Sequence, residues 1–401
     1  MKKLLLAVIF SVSTITTAAL AEVKIGIILG FTGPIESLTP AMRDSAKLAL
    51  NEVSGDGAFL GGDTITILEG DSTCIDSAAA VTVAESQISD GVLAIMGADC
   101  SGVTGAIATN VAVPNGVTMV SPSATSPGLT DLDDHGYFFR TSPSDARGGQ
   151  ILANIATARG LDSVAMTYTN NDYGKGLADV FEAAFTANGG TVTAVASHED
   201  GKGDYSAEVG VLGAAGGDAL VVVGYLDQGG KGMIQASLDS GAFDTFVLSD
   251  GMIGQSLVDA IGADLEGSFG SLPGTDSAGA TKFTTVATRG GVDSSGPYTG
   301  ESYDAAALIV LALVAGNETS NQDSSFDLRN QIADNIMNVA NAPGTEILPG
   351  QLLKAMVILK DGGEINYQGA TDVELVGVGE ASGSFKEVEV SGGAFTTIQI
   401  H

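Results

Sequence analysis

The feature that most constrains this chain is an alternation of short apolar runs with helix-length segments, clearest over residues 92–128. Val92–Met96 is apolar and of strand length, and GADCSG at 97–102 breaks it. From Val103, apolar residues recur at 107 and 111, a helical spacing, until Pro114-Asn115-Gly116 stops the helix. Val117–Val120 is apolar again and runs into SPSATSP at 121–127. Strand, polar loop, helix, strand, polar loop is the unit of a parallel sheet. Its loops leave the carboxyl ends of the strands, where α/β proteins bind ligands.

The rhythm extends both ways. Val23–Leu29 reads as a strand, Thr39–Val53 as a helix, Asp63–Leu68 as a strand and Asp76–Ser89 as a helix. After YFFRTSP at 137–143 a second series begins: helix 145–159, strand Val164–Tyr168, helix 175–188 and strand Val192–Ser197. It continues with helix 205–215, strand Ala219–Gly224, helix 229–240 and strand Phe246–Leu248. A chain of 401 residues exceeds one ordinary core. Two similar series predict an α/β fold of two doubly wound parallel-sheet lobes facing a cleft. Beyond FGSLPG at 269–274 the pattern weakens to helices at 300–315 and Phe326–Val339, then strand character at Ala355–Lys360, Val373–Val378 and Thr396–Ile400.

Lys2-Lys3, an apolar run from Leu4 and Ala19-Leu20-Ala21 form a secretory leader, with cleavage expected after Ala21. The later run Asp304–Ala315 reads as a buried helix, so no membrane insertion is expected after cleavage. A net charge of −31 repels nucleic acid and anionic membrane surfaces. Cys74 and Cys100 are the two cysteines, and in an oxidising compartment a disulfide between them is the default. Such a bridge closes a loop of about 26 residues, worth roughly 3 kcal/mol in the chain-entropy description. With His135, His198 and His401 scattered, no metal cluster is expected. The chain has no G-x-S-x-G, H-E-x-x-H or G-x-x-x-x-G-K-[ST] pattern, so neither catalytic residues nor a cofactor are expected.

Ser101 stands where an N-cap belongs: it either caps its helix or helps a helix N-terminus hold an anion without Arg or Lys. Ser123 and Thr125 add donors, or belong to a proline-rich turn. Tyr173, Tyr225 and Asp250 follow expected strands, and Tyr298 precedes a helix. Each could be an ordinary loop residue; their shared placement is informative. Across one cleft, hydroxyls and a helix end would oppose a carboxylate and tyrosines. That suits a zwitterion, with its carboxylate on Ser101 and Thr125 and its ammonium on Asp250.

At these residues the chain resembles the type I periplasmic substrate-binding proteins, specifically the branched-chain amino acid receptors of ABC transporters. The resemblance rests on VKIGIILGFTGP at 23–34, DSTC at 71–74, DCS at 99–101 and SPSATSPGLT at 121–130. It continues through FRT at 139–141, DYGKG at 172–176, VGY at 223–225, SDG at 249–251 and YDAAA at 303–307. No single motif is very specific; their order and spacing are. The resemblance implies lobes joined by a three-strand hinge, the first from 22–141 and 272–345, the second from 142–271 and 346–401. It implies Ser101 and Thr125 on the ligand carboxylate, and the Ser123 carbonyl with Asp250 on the ammonium. Tyr173 and Tyr225 would line the cleft and Tyr298 border the side-chain pocket. Two departures bear on side-chain preference: Leu38 stands where some relatives have tyrosine, and Asp250 is one methylene shorter than the glutamate of the best-known members.

The expected protein is an exported, periplasmic, monomeric, non-enzymatic carrier that delivers an aliphatic α-amino acid to a membrane permease. The alternatives are an amide, urea or short organic acid as ligand, or a soluble sensor subunit. An organic acid would not need Asp250, and an amide would not need a full anion site.

Overall fold

A computed structural model describes residues 22–54, 59–61, 64–317 and 325–401; the expected leader and its cleavage point lie outside them. The first lobe opens with β1 (Glu22–Leu29), α1 (Thr39–Ser54), β2 (Thr64–Asp71) and α2 (Ser77–Ser89). It continues with β3 (Ala94–Gly97), α3 (Ser101–Ile107), β4 (Thr118–Ser121) and β5 (Phe138–Arg140). The second lobe runs α4 (Asp145–Ala158), β6 (Ser163–Thr169), α5 (Asp172–Ala187), β7 (Thr191–His198) and α6 (Ser206–Ala215). Then come β8 (Ala219–Val223), α7 (Gly229–Ser240), β9 (Phe246–Leu248), α8 (Gln255–Ile261) and β10 (Phe269–Pro273).

The chain returns to the first lobe for α9 (Ala278–Gly290), α10 (Thr299–Asn317), α11 (Ser325–Ala340) and β11 (Thr345–Ile347). There follow α12 (Leu352–Lys360), β12 (Ile365–Tyr367), β13 (Leu375–Val376) and β14 (Glu380–Ala381). It crosses back once more for β15 (Phe385–Ser391) and β16 (Ala394–Ile400).

The first sheet has the order β13-β14-β5-β4-β3-β1-β2 and the second β16-β15-β10-β9-β8-β6-β7. Each has a parallel centre, and the antiparallel pairs lie toward one edge. Strands covered on both faces read as continuous apolar runs, as Ile25, Ile27, Ile28 and Leu29 do in β1. Local signals set the helix ends. Asp76 caps α2 by accepting from the Ala78 and Ala79 N–H groups, both at 3.0 Å. Gly116, left-handed at φ 60°, stops the irregular turns that prolong α3.

Helix α10 carries the first lobe's core: Ala305 through Val314 are fully buried between α1, α11, α12 and the sheet. By length and composition it could cross a membrane, but it is apolar all round because protein surrounds it.

The chain passes between lobes at 141–144, 274–277 and 382–384. The crossings are stitched together, with Arg140 N–H donating to the Gly379 carbonyl and Gly274 N–H to that of Ser384. The return to the second lobe expected at 346 falls instead after Ala381, because β13 and β14 add to β5 of the first sheet. Ala355–Lys360, expected as a strand, lies in α12. Its buried residues Leu352, Ala355, Met356 and Leu359 have helical spacing, which the apolar residues between them disguise.

Candidate functional site

The first lobe's wall consists of the loops after β3 and β4, cross-linked by small polar side chains. Ser121 Oγ donates to the Ala98 carbonyl at 2.5 Å and Ser123 Oγ to that of Asp99 at 3.0 Å. Ser101 Oγ accepts from Ser126 N–H at 3.1 Å. Ser101 is therefore not the N-cap its position suggested. Cys100 is, without a side-chain cap, and Ser101 opens the helix with its hydroxyl on the neighbouring loop. Thr125 is buried, its Oγ1 lacks a partner among the described residues, and its carbonyl accepts from Asp145 N–H at 2.9 Å.

Two further devices stiffen this wall. Cys74 and Cys100 form a disulfide, tying the loop after β2 to the start of α3. Buried Asp99 accepts from Gly30 N–H at 2.6 Å, Cys100 N–H at 2.9 Å and Ser72 Oγ at 3.2 Å, so one carboxylate holds three loops. Burial pushes its carboxyl above the usual range, and those donors pull it back. Arg140 is buried beneath, donating to the Ala124 and Ser126 carbonyls at 3.1 and 2.9 Å and pairing with Glu380.

The second lobe supplies charge. Asp250 follows β9 and is 6% exposed. Tyr173 Oη lies 2.7 Å from its Oδ1, and Tyr298 Oη donates to Oδ2. Tyr173 Oη also lies 2.9 Å from Ser249 Oγ and accepts from Gly251 N–H at 3.1 Å. A phenol has one proton; given to Asp250, it leaves the serine and the amide as donors to the phenol. Burial raises the Asp250 carboxyl, and the Tyr173 and Tyr298 hydroxyls oppose that rise. Tyr225 stacks on Tyr173 with ring centroids 5.2 Å apart. Gly251 is required: a Cβ there would sit 2.5 Å from the Gly224 carbonyl and 2.9 Å from Tyr173 Oη. Tyr298 belongs to the first lobe and reaches across from a left-handed backbone, φ 60°, a conformation that costs a bulky residue on the order of 1–3 kcal/mol.

The walls meet. Asp227 Oδ2 accepts from Ser37 N–H at 2.9 Å, and Ser126 Oγ donates to the Asp172 carbonyl at 3.0 Å. Between them lies a narrow cavity of about 30 Å³, lined by Leu38, Ser101, Ser123, Tyr173, Tyr225, Asp250 and Tyr298. Of the cleft residues expected from sequence, Thr125 alone is not on that lining. Ile35, Met42, Asp99, Cys100 and Gly251 complete the lining, and Leu38 and Tyr298 also border a wider groove of about 450 Å³ between the lobes. Sequence reasoning passed over Asp99 and Asp145. Asp99 lies in a motif already noted for its cysteine, and Asp145 looks like an ordinary first-turn acid. Among the described residues no cluster of His, Cys, Asp and Glu suits a metal ion.

A family model described as periplasmic binding protein matches residues 22–335. A Leu/Ile/Val-binding protein homolog of Brucella melitensis is 31% identical over 57% of this chain, and the match spans 61% of that relative's length. A leucine-specific-binding protein of Salmonella typhimurium is 25% identical over 84% of this chain and 90% of its own. The crystal structure of a leucine binding protein from Thermotoga maritima superposes with a TM-score of 0.77 at 23% identity, covering 94% of this chain and 98% of that one.

Proposed function

The chain belongs to the periplasmic binding protein family, and from that premise we propose that it captures an aliphatic α-amino acid between its lobes and delivers it to the membrane permease of an ABC transporter. It does so as an exported monomer, freed of its leader after Ala21 and acting without covalent chemistry. One observation carries the reading: a buried carboxylate on the second lobe faces neutral donors on the first. The Ser101 hydroxyl and nearby N–H groups take the ligand carboxylate, whereas Thr125, buried off the lining, does not reach it in this arrangement. Asp250 and the Ser123 carbonyl take the ammonium. A zwitterion sealed from water is tolerable only when both ends are paired in this way.

Tyr173 and Tyr225 form the cleft's aromatic wall, and Ile35, Leu38, Met42 and Tyr298 face the side chain. That apolar quarter, together with relatives named for leucine, isoleucine and valine, supports an aliphatic ligand. The lobes turn about the three crossings, and solute selects the closed arrangement. An organic acid fits less well, because Asp250 would oppose it.

The test is calorimetric titration with leucine, isoleucine and valine, with the deaminated keto acid of leucine as control. Leucine should bind at least about thirtyfold more tightly than the keto acid, the lower bound for unpairing a buried charge. Equal affinities would overturn the assignment.

A further inference from the structure

Asp145 opens α4 yet does not cap it; Ser144 does, accepting from Ala146 N–H at 3.2 Å. The carboxyl is 3% exposed, and its Oδ2 has no hydrogen-bond partner among the described residues. It lines a small space of about 10 Å³ with Asp250, Ser249 and Ser271, and Asp250 also lines the cleft cavity. Two buried carboxyl groups sharing so small a space are costly if both are ionised. Resting on the amino-acid reading above, we propose that Asp145 is a positioning residue that holds a proton behind Asp250 and surrenders it when the solute's ammonium arrives, so that capture releases a proton.

The surroundings decide where the proton sits. Tyr173 from α5 and Tyr298 from the segment before α10 give their protons to Asp250, while Asp145 Oδ2 receives none. Tyr225, after β8, adds no cation. Arg140, at the end of β5, is the nearby positive charge: its terminal nitrogens serve Ala124, Ser126, Thr130 and Glu380, its Nε has no partner among the described residues, and with the Thr125 hydroxyl it opposes the rise of the Asp145 carboxyl. Burial first and Asp250 second raise the Asp145 carboxyl well above the ordinary range. Before capture, the two groups share one proton and one negative charge. Afterwards two carboxylates accompany one ammonium, and the proton from Asp145 is in solvent.

Proton release favours binding at higher pH. Affinity should rise about tenfold for each unit rise in pH wherever free Asp145 is protonated and bound Asp145 is ionised. Glu301 and Asp304 on α10 are themselves pushed up, to about 7 and about 6, by burial, so stability alone cannot discriminate. The measurement is leucine titration between about pH 5 and about pH 8 in buffers of different ionisation enthalpy, which counts protons directly. The native protein should release up to one proton, Asp145→Asn should release none while still binding leucine, and Glu301→Gln should behave as native. Leucine binding without proton release across that range overturns the proposal, as does unchanged release in Asp145→Asn or its loss in Glu301→Gln. Should Asp145→Asn not fold, the native and Glu301→Gln counts still decide. Absence of amino acid binding would instead sink the functional reading.

Discussion

The two lobes share one architecture yet divide the work of the cleft unequally. The first lobe's wall is covalently braced and cross-linked by serines, and its carboxylate, Asp99, is taken up by donors from three loops. The second lobe's wall has no disulfide and relies on one carboxylate fed by a relay of hydroxyls. Dipoles spread over many small groups fix geometry at little cost in burial. A single buried charge concentrates energy and is intolerant of loss. The comparison teaches that one wall supplies shape and the other supplies discrimination.

The sharpest way to break this comparison is Asp250→Asn, which keeps the shape and removes the charge. Leucine affinity measured by calorimetry should fall by about 2–5 kcal/mol, some thirtyfold to several thousandfold. Native-like affinity would place the ammonium elsewhere. Next comes the brace: replacing Cys74 and Cys100 together by serine should cost roughly 3 kcal/mol of stability. Urea unfolding checks it, and a loss near zero would mean that the serine network alone holds the wall. Smallest is Ser101→Ala. It removes one hydroxyl from a wall with several donors and should weaken binding by about 1.5–3 kcal/mol, toward the lower end. A loss exceeding that of Asp250→Asn would reverse the division of labour.

The parallel β/α series was legible because each strand is a bounded apolar run and each helix carries its own stop, as Gly116 does. The placing of Asp250 and Tyr225 beyond strand ends was legible for the same reason. Where apolar residues fill every position, periodicity fails, and α12 was lost to a strand reading. The hairpin of β13 and β14 was given to the second lobe and belongs to the first, since its partner β5 lies some 240 residues earlier in sequence. Asp145 was invisible for another reason. An acid opening a helix is commonplace on a surface, and the residues that share its buried space, Leu177, Ser249, Asp250, Ser271 and Phe385, lie far away in sequence.

Arg140 links the site to the motion it must undergo. Its guanidinium clamps the carbonyls on either side of Thr125, and the Thr125 carbonyl accepts from Asp145, just past the first crossing. The same side chain pairs with Glu380, which precedes the last crossing. The loop proposed to hold the ligand carboxylate is thus moored beside two of the three crossings between the lobes. If the lobes open about these crossings, the opening would pull on that hold and make affinity a function of the angle between the lobes. A transporter that prises the lobes apart need not compete for the solute; loosening the joint is enough to let it go.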